Sequence, residues 1–172
     1  MDLPAGTAAP VPVALVGAGK VAYAAHLREI RDLPHALRLA AVVESDPARA
    51  GAPPAAGFPG VAVCATPREA VRSGARAAPV CTRGWTHREV VLSCLEARLP
   101  VLCEKPVSLD PAETGELAAA ERRTGLPVAA GYMKRHDPVV ARFVERAAST
   151  RTGRCAWWST STTPTHRTRW RT

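Results

Sequence analysis

The chain has 172 residues, of which 47% are hydrophobic, and a formal net charge of +8. This composition predicts one domain with enough apolar residues for a core and excludes a chain that is disordered throughout. No apolar run reaches the roughly 18 residues that a membrane span needs. Residues 1–10 lack the pattern of a secretory signal. Five arginines and no carboxylate fall in residues 150–172, which leaves +3 for residues 1–149, so we expect no nucleic-acid partner.

The first predicted strand and the turn after it have the pattern of a dinucleotide site. Val13–Val16 form a continuous apolar run, as in a buried parallel strand. Gly17 permits a tight turn, and Gly19 leaves no side chain where a diphosphate approaches the backbone. Ala22, at the third position of the G-x-G-x-x-G/A pattern, lets the next helix lie close to the strand. The alternative is a plain strand-to-helix turn.

Strand and helix signals alternate along the rest of the chain, as in a parallel sheet with crossover helices. A capping residue followed by proline predicts four helix starts, at positions 46, 66, 110 and 137. The predicted strands are 13–16, 39–43, 61–64, 77–81, 100–103 and 126–130, and the other helices are about 20–32 and 86–97. Six strands joined by five crossovers predict an α/β fold with a doubly wound parallel sheet.

Glu44 follows the second predicted strand, at a place where an acidic side chain can accept hydrogen bonds from an adenosine ribose. A carboxylate at this place would repel the additional phosphate of NADP, so NAD is favoured. Arg49 lies a turn or more away and weakens this preference only slightly. The alternative is a solvated carboxylate at a strand end.

The tripeptide Glu104-Lys105-Pro106 directly follows the fifth predicted strand. Ligands of open parallel sheets bind beyond the carboxyl ends of the strands, so we expect the tripeptide at the crevice. A lysine near a nicotinamide could hydrogen-bond the reacting hydroxyl and assist proton transfer, and Glu104 could orient it. The alternative is a surface loop whose proline ends the strand.

The cysteines are interpreted as reduced residues, not as disulfide partners or metal ligands. Their number is odd, they form no CxxC pair, and three of them lie in apolar, strand-like runs. We therefore expect no metal site and a reducing, cytoplasmic location. The five are Cys64, Cys81, Cys94, Cys103 and Cys155.

Several motifs together resemble the N-terminal half of the Gfo/Idh/MocA oxidoreductases, the family typified by glucose–fructose oxidoreductase and inositol dehydrogenase. The resemblance covers about residues 11–148 and implies a Rossmann-like NAD(P)-binding domain. It also implies hydride transfer at an alcohol carbon of a sugar, a cyclitol or a related molecule. The matching segments are Gly17-Ala18-Gly19, Glu44 with Asp46-Pro47, Thr82 with His87, Val90–Ala97, Val101–Pro106 and Gly131–Pro138.

The resemblance implies that Lys105 is the catalytic lysine and that the loop from Thr82 to His87 borders the nicotinamide. The family commonly has Pro-Asn where this chain has Arg83-Gly84, so Arg83 and Trp85 either stack on the cofactor or disrupt the loop. The residues expected to contact the cofactor are Gly17, Ala18, Gly19, Lys20, Val21, Glu44, Thr82, Trp85, His87, Glu104 and Lys105.

The segment after the sixth strand has two interpretations. Arg135 and His136 could face a substrate, whereas Asp137-Pro138 also has the pattern of a helix cap, which we favour.

The last residues do not match the family, whose members continue into a second α+β domain that forms the substrate pocket. Tryptophan has a single codon, and reading Trp157-Trp158 one base earlier, after a codon that ends in G, gives two valines. With GC-rich synonymous codons, the residues that follow can then be read as an alternating strand pattern. We therefore hypothesise that the chain is truncated by a frameshift near 151–154, leaving a vestige of that domain. The predicted divisions are 1–10, a disordered lead-in; 11–131, the dinucleotide-binding domain; 132–149, a connecting helix region; and 150–172, an irregular tail.

Three functions remain open at this point. The first is an NAD-dependent oxidoreductase for a polyol or sugar, present mainly as its nucleotide-binding domain and able to form a homo-oligomer. The second is a non-catalytic nucleotide-binding module that acts through a partner. The third is an inactive fragment whose exposed sheet edge and uncovered apolar face cause aggregation.

Overall fold

The computed structural model describes residues 9–46, 49, 57, 58 and 60–149. Four predicted segments lie wholly or mostly outside the described residues. They are the tail at 150–172, most of the lead-in, most of the helix expected after Asp46 and most of the loop at 51–60. Among the described residues, no helix is both long enough and apolar enough to cross a bilayer.

Six parallel strands form one sheet in the order β3-β2-β1-β4-β5-β6, which confirms the doubly wound α/β fold. β1 lies at the centre between β2 and β4 because the chain reverses its direction of winding after β3. Such a reversal leaves a crevice at the carboxyl ends of the strands on either side. The strands are β1 Val11–Val16, β2 Leu37–Val43, β3 Ala62–Cys64, β4 Ala78–Val80, β5 Val101–Cys103 and β6 Val128–Ala130.

The described helices connect these strands as the capping pattern predicts. Thr66 accepts a hydrogen bond from the Glu69 amide at 3.3 Å, and Asp110 accepts one from the Ala112 amide at 2.8 Å. Gly125, with a φ of +68°, ends the fourth helix in the left-handed conformation. The helices are α1 Leu27–Asp32, α2 Pro67–Arg72, α3 His87–Glu96 and α4 Pro111–Thr124.

The helix after β1 contains a π-helical segment. Helical residues begin at Lys20, the π-helical turn covers Ala22–His26, and α1 follows without a break. The Leu27 amide donates to the Ala22 carbonyl five residues earlier, which is the hydrogen bond of a π-helix. The predicted helix at about 20–32 is therefore present with an irregular first half.

The sheet separates two apolar cores because successive strand residues point to opposite faces. Val13 and Leu15 of β1 pack in one cluster with Ile30 of α1, whereas Ala14 and Val16 pack in the other cluster. That second cluster also includes residues of three helices: Ala70 of α2, Val91, Cys94 and Leu95 of α3, and Leu117 and Ala120 of α4. All four of these β1 residues are at most 3% exposed. β1 is therefore covered on both sides, as its continuous apolar sequence predicts.

The chain divides into two compact units, and the division falls after Gly131. In the second unit, a 3-10 turn at Met133–His136 leads to α5, Pro138–Ser149. Asp137 accepts a hydrogen bond from the Val139 amide at 3.0 Å and pairs with the Lys134 ammonium at 2.8 Å. These contacts lower the pKa of the Asp137 carboxyl, the Lys134 bond being the larger cause. Asp137 therefore caps α5, which is the interpretation of Asp137-Pro138 that we favour from the sequence.

Candidate functional site

A cavity of about 580 Å³ opens at the carboxyl ends of the central strands. Its walls include the loop Gly17–Val21 after β1, Glu44 and Ser45 after β2, and Cys81–Arg83 after β4. This is the point at which the strand order reverses, where open α/β sheets bind their ligands. The cavity therefore lies where the sequence places a dinucleotide.

The two glycines of the loop have different structural roles. Gly17 has a φ of +91°, and a Cβ added to it would lie 2.8 Å from Thr82 Cγ2 and 3.0 Å from the Thr82 amide nitrogen. A Cβ added to Gly19 would meet the Cys81 carbonyl oxygen at 3.8 Å, which is an ordinary contact. Because Gly19 lines the cavity, a larger side chain there would project into open space. Gly17 serves the fold, and Gly19 keeps the cavity open.

Glu44 is joined directly to the glycine-rich loop. Its Oε2 accepts a hydrogen bond from the Ala18 amide at 3.0 Å, and its Oε1 accepts one from the Asp46 amide at 3.1 Å. The carboxylate is therefore fixed beside the loop at the rim of the cavity. Burial, and after it the charge of Glu44, raises the pKa of the nearby Tyr23 hydroxyl.

The buried His87 side chain contacts the loop after β4. This imidazole is 1% exposed, with Nδ1 2.7 Å from the Pro106 carbonyl oxygen and Nε2 3.1 Å from the Thr82 carbonyl oxygen. Thr82 lines the cavity, and its Oγ1 is buried without a hydrogen-bond partner among the described residues. His87 thus lies beneath the cavity and connects its wall to the loop after β5.

Arg83 and Trp85 contact each other across this loop. The Arg83 guanidinium carbon lies 5.3 Å from the centre of the Trp85 ring, a distance typical of a cation–π contact. Arg83 lines the cavity, whereas Trp85 is 66% exposed and is not part of its wall. The loop keeps a regular 3-10 turn at Gly84–Thr86, so the two unusual residues do not disrupt it.

The Glu104-Lys105-Pro106 tripeptide follows β5, beyond the walls of the cavity. The Glu104 amide donates to the Val80 carbonyl at 2.9 Å, and the Lys105–Pro106 peptide is cis. Glu104 Oε1 lies 2.8 Å from His26 Nε2, while its Oε2 accepts a hydrogen bond from the Lys105 amide at 3.2 Å. Lys105 itself is exposed.

Gly131, directly after β6, lies close to the backbone at Cys103 and Glu104. Its amide donates to the Cys103 carbonyl at 2.7 Å. A Cβ added to it would lie 3.2 Å from that carbonyl oxygen and 3.4 Å from the Glu104 Cα. A glycine here allows the backbone to approach Glu104 closely.

Burial disfavours the charged thiolate at three cysteines near the site. Burial raises the pKa of Cys94 and of Cys103 to about 12, and burial followed by the charge of Glu104 raises that of Cys81 further. Cys94 and Cys103 pack in one apolar core of the sheet, and Cys81 packs in the other. The described cysteines are all free and buried: Cys64, Cys81, Cys94 and Cys103.

The family model of an oxidoreductase family with an NAD-binding Rossmann fold, GFO_IDH_MocA, matches residues 11–132. The chain belongs to this family. The fold, the position of the cavity and the glycine-rich loop agree with that membership, and the predicted Rossmann-like fold and NAD(P) cofactor class are confirmed.

Relatives of this GFO_IDH_MocA chain include dehydrogenases of inositol. It is 35% identical over 127 residues to an inositol 2-dehydrogenase of Arthrobacter sp. (strain FB24), covering 73% of this chain and 37% of that protein. It is also 35% identical over 144 residues to the myo-inositol dehydrogenase Hyg17 of Streptomyces leeuwenhoekii, covering 83% of this chain and 42% of that one. The chain thus spans about two fifths of the length of these relatives.

A solved structure gives the same picture of the fold. A 3-ketoreductase from Actinomadura kijaniata, in complex with NADP and TDP-benzene, superposes with a TM-score of 0.70 at 26% identity. The superposition covers 80% of this chain and 43% of the ketoreductase.

Several residues at the site of this GFO_IDH_MocA domain have no sequence pattern that predicts their role. Val90 and Ser93 of α3 line the cavity, and His26 contacts Glu104 from the helix after β1. The only sequence signal for His26 is its place on the helix that follows the glycine-rich turn. Its partner lies 78 positions away, so no local pattern predicts the contact.

Proposed function

We propose that this chain binds NAD in the cavity between the ends of β1, β2 and β4. We further propose that it is the nucleotide-binding part of an oxidoreductase acting on an alcohol carbon of a sugar, a cyclitol or a related small molecule. The single observation that carries the proposal is the open space at Gly19, beside the Glu44 carboxylate that accepts a hydrogen bond from the preceding amide of the loop, that of Ala18. When bound, the nicotinamide accepts or returns a hydride.

The residues present fit such a dinucleotide. Gly19, Lys20 and Val21 surround the helix start and would hold the diphosphate with backbone amides and one ammonium group. Glu44 would accept hydrogen bonds from the adenosine ribose, a role for which its fixed position at the rim is suited. Thr82 would supply the buried hydroxyl that has no partner among the described residues.

His87 and Trp85 would support the part of the cavity wall that Thr82 and Arg83 form. His87 would keep Thr82 in place through the two carbonyl contacts, so we propose that it positions the cofactor site from beneath. Trp85 would hold the Arg83 guanidinium at the cavity, where its positive charge can attract a diphosphate.

Lys105 is the proposed catalytic residue. It is exposed at the end of β5, and no carboxylate pairs with its ammonium group among the described residues. An amine at this edge of the sheet would hydrogen-bond the reacting oxygen and take up the hydroxyl proton at Nζ as the hydride leaves the carbon. The reverse reaction would return that proton to the carbonyl oxygen.

The inositol dehydrogenases among the relatives favour a cyclitol within this substrate class. We further propose a homo-oligomer, and a reducing compartment such as the cytoplasm, where four free thiols remain stable. Equilibrium sedimentation of the purified chain would test the oligomer directly.

Isothermal titration of the full chain with NAD, followed by a hydride-transfer assay with a panel of polyols, tests the function. Binding with turnover supports the oxidoreductase, and binding without turnover supports the nucleotide-binding module. A folded chain that binds neither NAD nor NADH contradicts the proposal.

Glu44 is expected to set the preference for NAD. Replacing it with alanine removes both the ribose acceptor and the negative charge that repels a 2′-phosphate, so NAD affinity should fall about fivefold to twentyfold and NADP affinity should rise. Titrations with both cofactors measure the ratio. Glu96→Ala, at the exposed end of α3, is the matched control, and an unchanged ratio in Glu44→Ala would contradict the role of Glu44.

A further inference from the structure

The Glu104 carboxylate is held by two parts of the chain that are far apart in sequence. One oxygen lies 2.8 Å from His26 Nε2, and the other accepts the amide of Lys105 at 3.2 Å. The His26 and Glu104 side chains are only 15% and 22% exposed, so this contact lies largely out of water. Such a contact is stronger than one between fully exposed groups.

The helix that carries His26 is irregular at this residue. The π-helical segment runs from Ala22 to His26 and ends where regular α1 begins. A π-turn holds one more residue than an α-turn and is often found at functional sites, where it changes the direction of a side chain. Here the last residue of the turn is the one that contacts Glu104.

Lys105 is the cation next to this carboxylate in sequence. Its own amide binds Glu104, yet its ammonium group forms no ion pair among the described residues. A Glu104 side chain without its histidine partner could rotate toward solvent and pair with that ammonium. An ion pair favours the protonated amine, which cannot accept a proton.

We propose that His26 is a positioning residue for Lys105, because it holds the Glu104 carboxylate away from the lysine ammonium and so keeps the amine reactive. This inference rests on the proposed function, because that function gives Lys105 its catalytic role. The contact between His26 and Glu104 does not depend on that function.

The reactivity of Lys105 can be measured without cofactor or substrate. The chain has only three lysines, Lys20, Lys105 and Lys134, so acylation by an N-hydroxysuccinimide ester can be followed at each one by peptide mass spectrometry. Lys134 belongs to the second unit and serves as the internal reference. The variants are His26→Ala, His26→Gln, Glu104→Gln and the double variant His26→Ala/Glu104→Gln.

His26→Ala should slow the acylation of Lys105 about 1.5-fold to fivefold relative to Lys134, the range expected for an exposed ion pair. His26→Gln keeps a donor for Glu104 and should restore the rate. In the Glu104→Gln background, His26→Ala should have no effect. A contact that only fastens the helix to the sheet would lower the melting temperature without changing this ratio.

An unchanged Lys105 rate in a folded His26→Ala variant overturns the inference, as does slowing that persists in the Glu104→Gln background. If His26→Ala does not fold, Glu104→Gln alone decides. Its Lys105 rate should equal that of the unaltered chain, and a faster rate would mean that Glu104 already pairs with the ammonium. NAD titration of the same proteins separates this failure from failure of the proposed function.

Discussion

Replacing Gly19 with valine is expected to abolish NAD binding and to leave the fold unchanged. The added side chain would project into the cavity, since the nearest protein atom to a Cβ at this position is a carbonyl oxygen at 3.8 Å. A dinucleotide diphosphate has to approach the backbone at this glycine. We expect affinity to fall at least about 100-fold, which corresponds to about 2.7 kcal/mol.

The measurement is a calorimetric NAD titration, together with the melting temperature of each protein. Gly115→Val is the matched control, because Gly115 lies in α4 and a Cβ there meets no atom within 4 Å. Both variants carry the same change of residue, but only the first narrows the cavity. A Gly19→Val variant that binds NAD normally would contradict the assignment of the cavity.

Sequence patterns predicted the fold well because the helix starts carry their own chemistry. Asp110 starts α4 at the predicted residue, because a capping side chain acts locally, and the left-handed Gly125 ends the helix in the same local way. The start of β1 was less apparent, because Pro12 lacks an amide and is unusual within a strand. Its carbonyl nevertheless accepts the Arg76 amide at 2.7 Å, and the strand begins at Val11.

The site was predicted in part, for a related reason. The glycine-rich turn and Glu44 stand at characteristic distances along the sequence, so a linear pattern is sufficient to indicate them. His26 acts through a π-helical turn and a partner that follows another strand, and neither has a sequence signature. The contact of Trp85 with the Arg83 guanidinium likewise has no sequence signature, and the expected contact of Trp85 with the cofactor stays a prediction.

Replacing Gly17 with alanine should affect the fold more than any other small change at the site. The left-handed backbone at a φ of +91° disfavours a residue with a Cβ. The Cβ would also lie 2.8 Å from Thr82 Cγ2 and 3.1 Å from the Cys81 carbonyl carbon, both of which belong to the neighbouring chain segment. We expect the free energy of unfolding to fall by about 2 to 4 kcal/mol, and the melting temperature by roughly 6 to 16 °C.

Gly74→Ala separates the two causes of this loss. Gly74 has the same φ of +91°, but a Cβ there meets no atom within 4 Å, so its substitution reports the backbone cost alone. Thermal and urea unfolding of both variants would therefore give the contribution of crowding as the difference between them. Adding Thr82→Ser to Gly17→Ala removes the methyl group at 2.8 Å and should recover part of the loss, whereas the backbone contacts remain. Equal losses at Gly17 and Gly74 would mean that the turn after β1 has room for a side chain, which contradicts the close approach of β1 and β4 at the cavity.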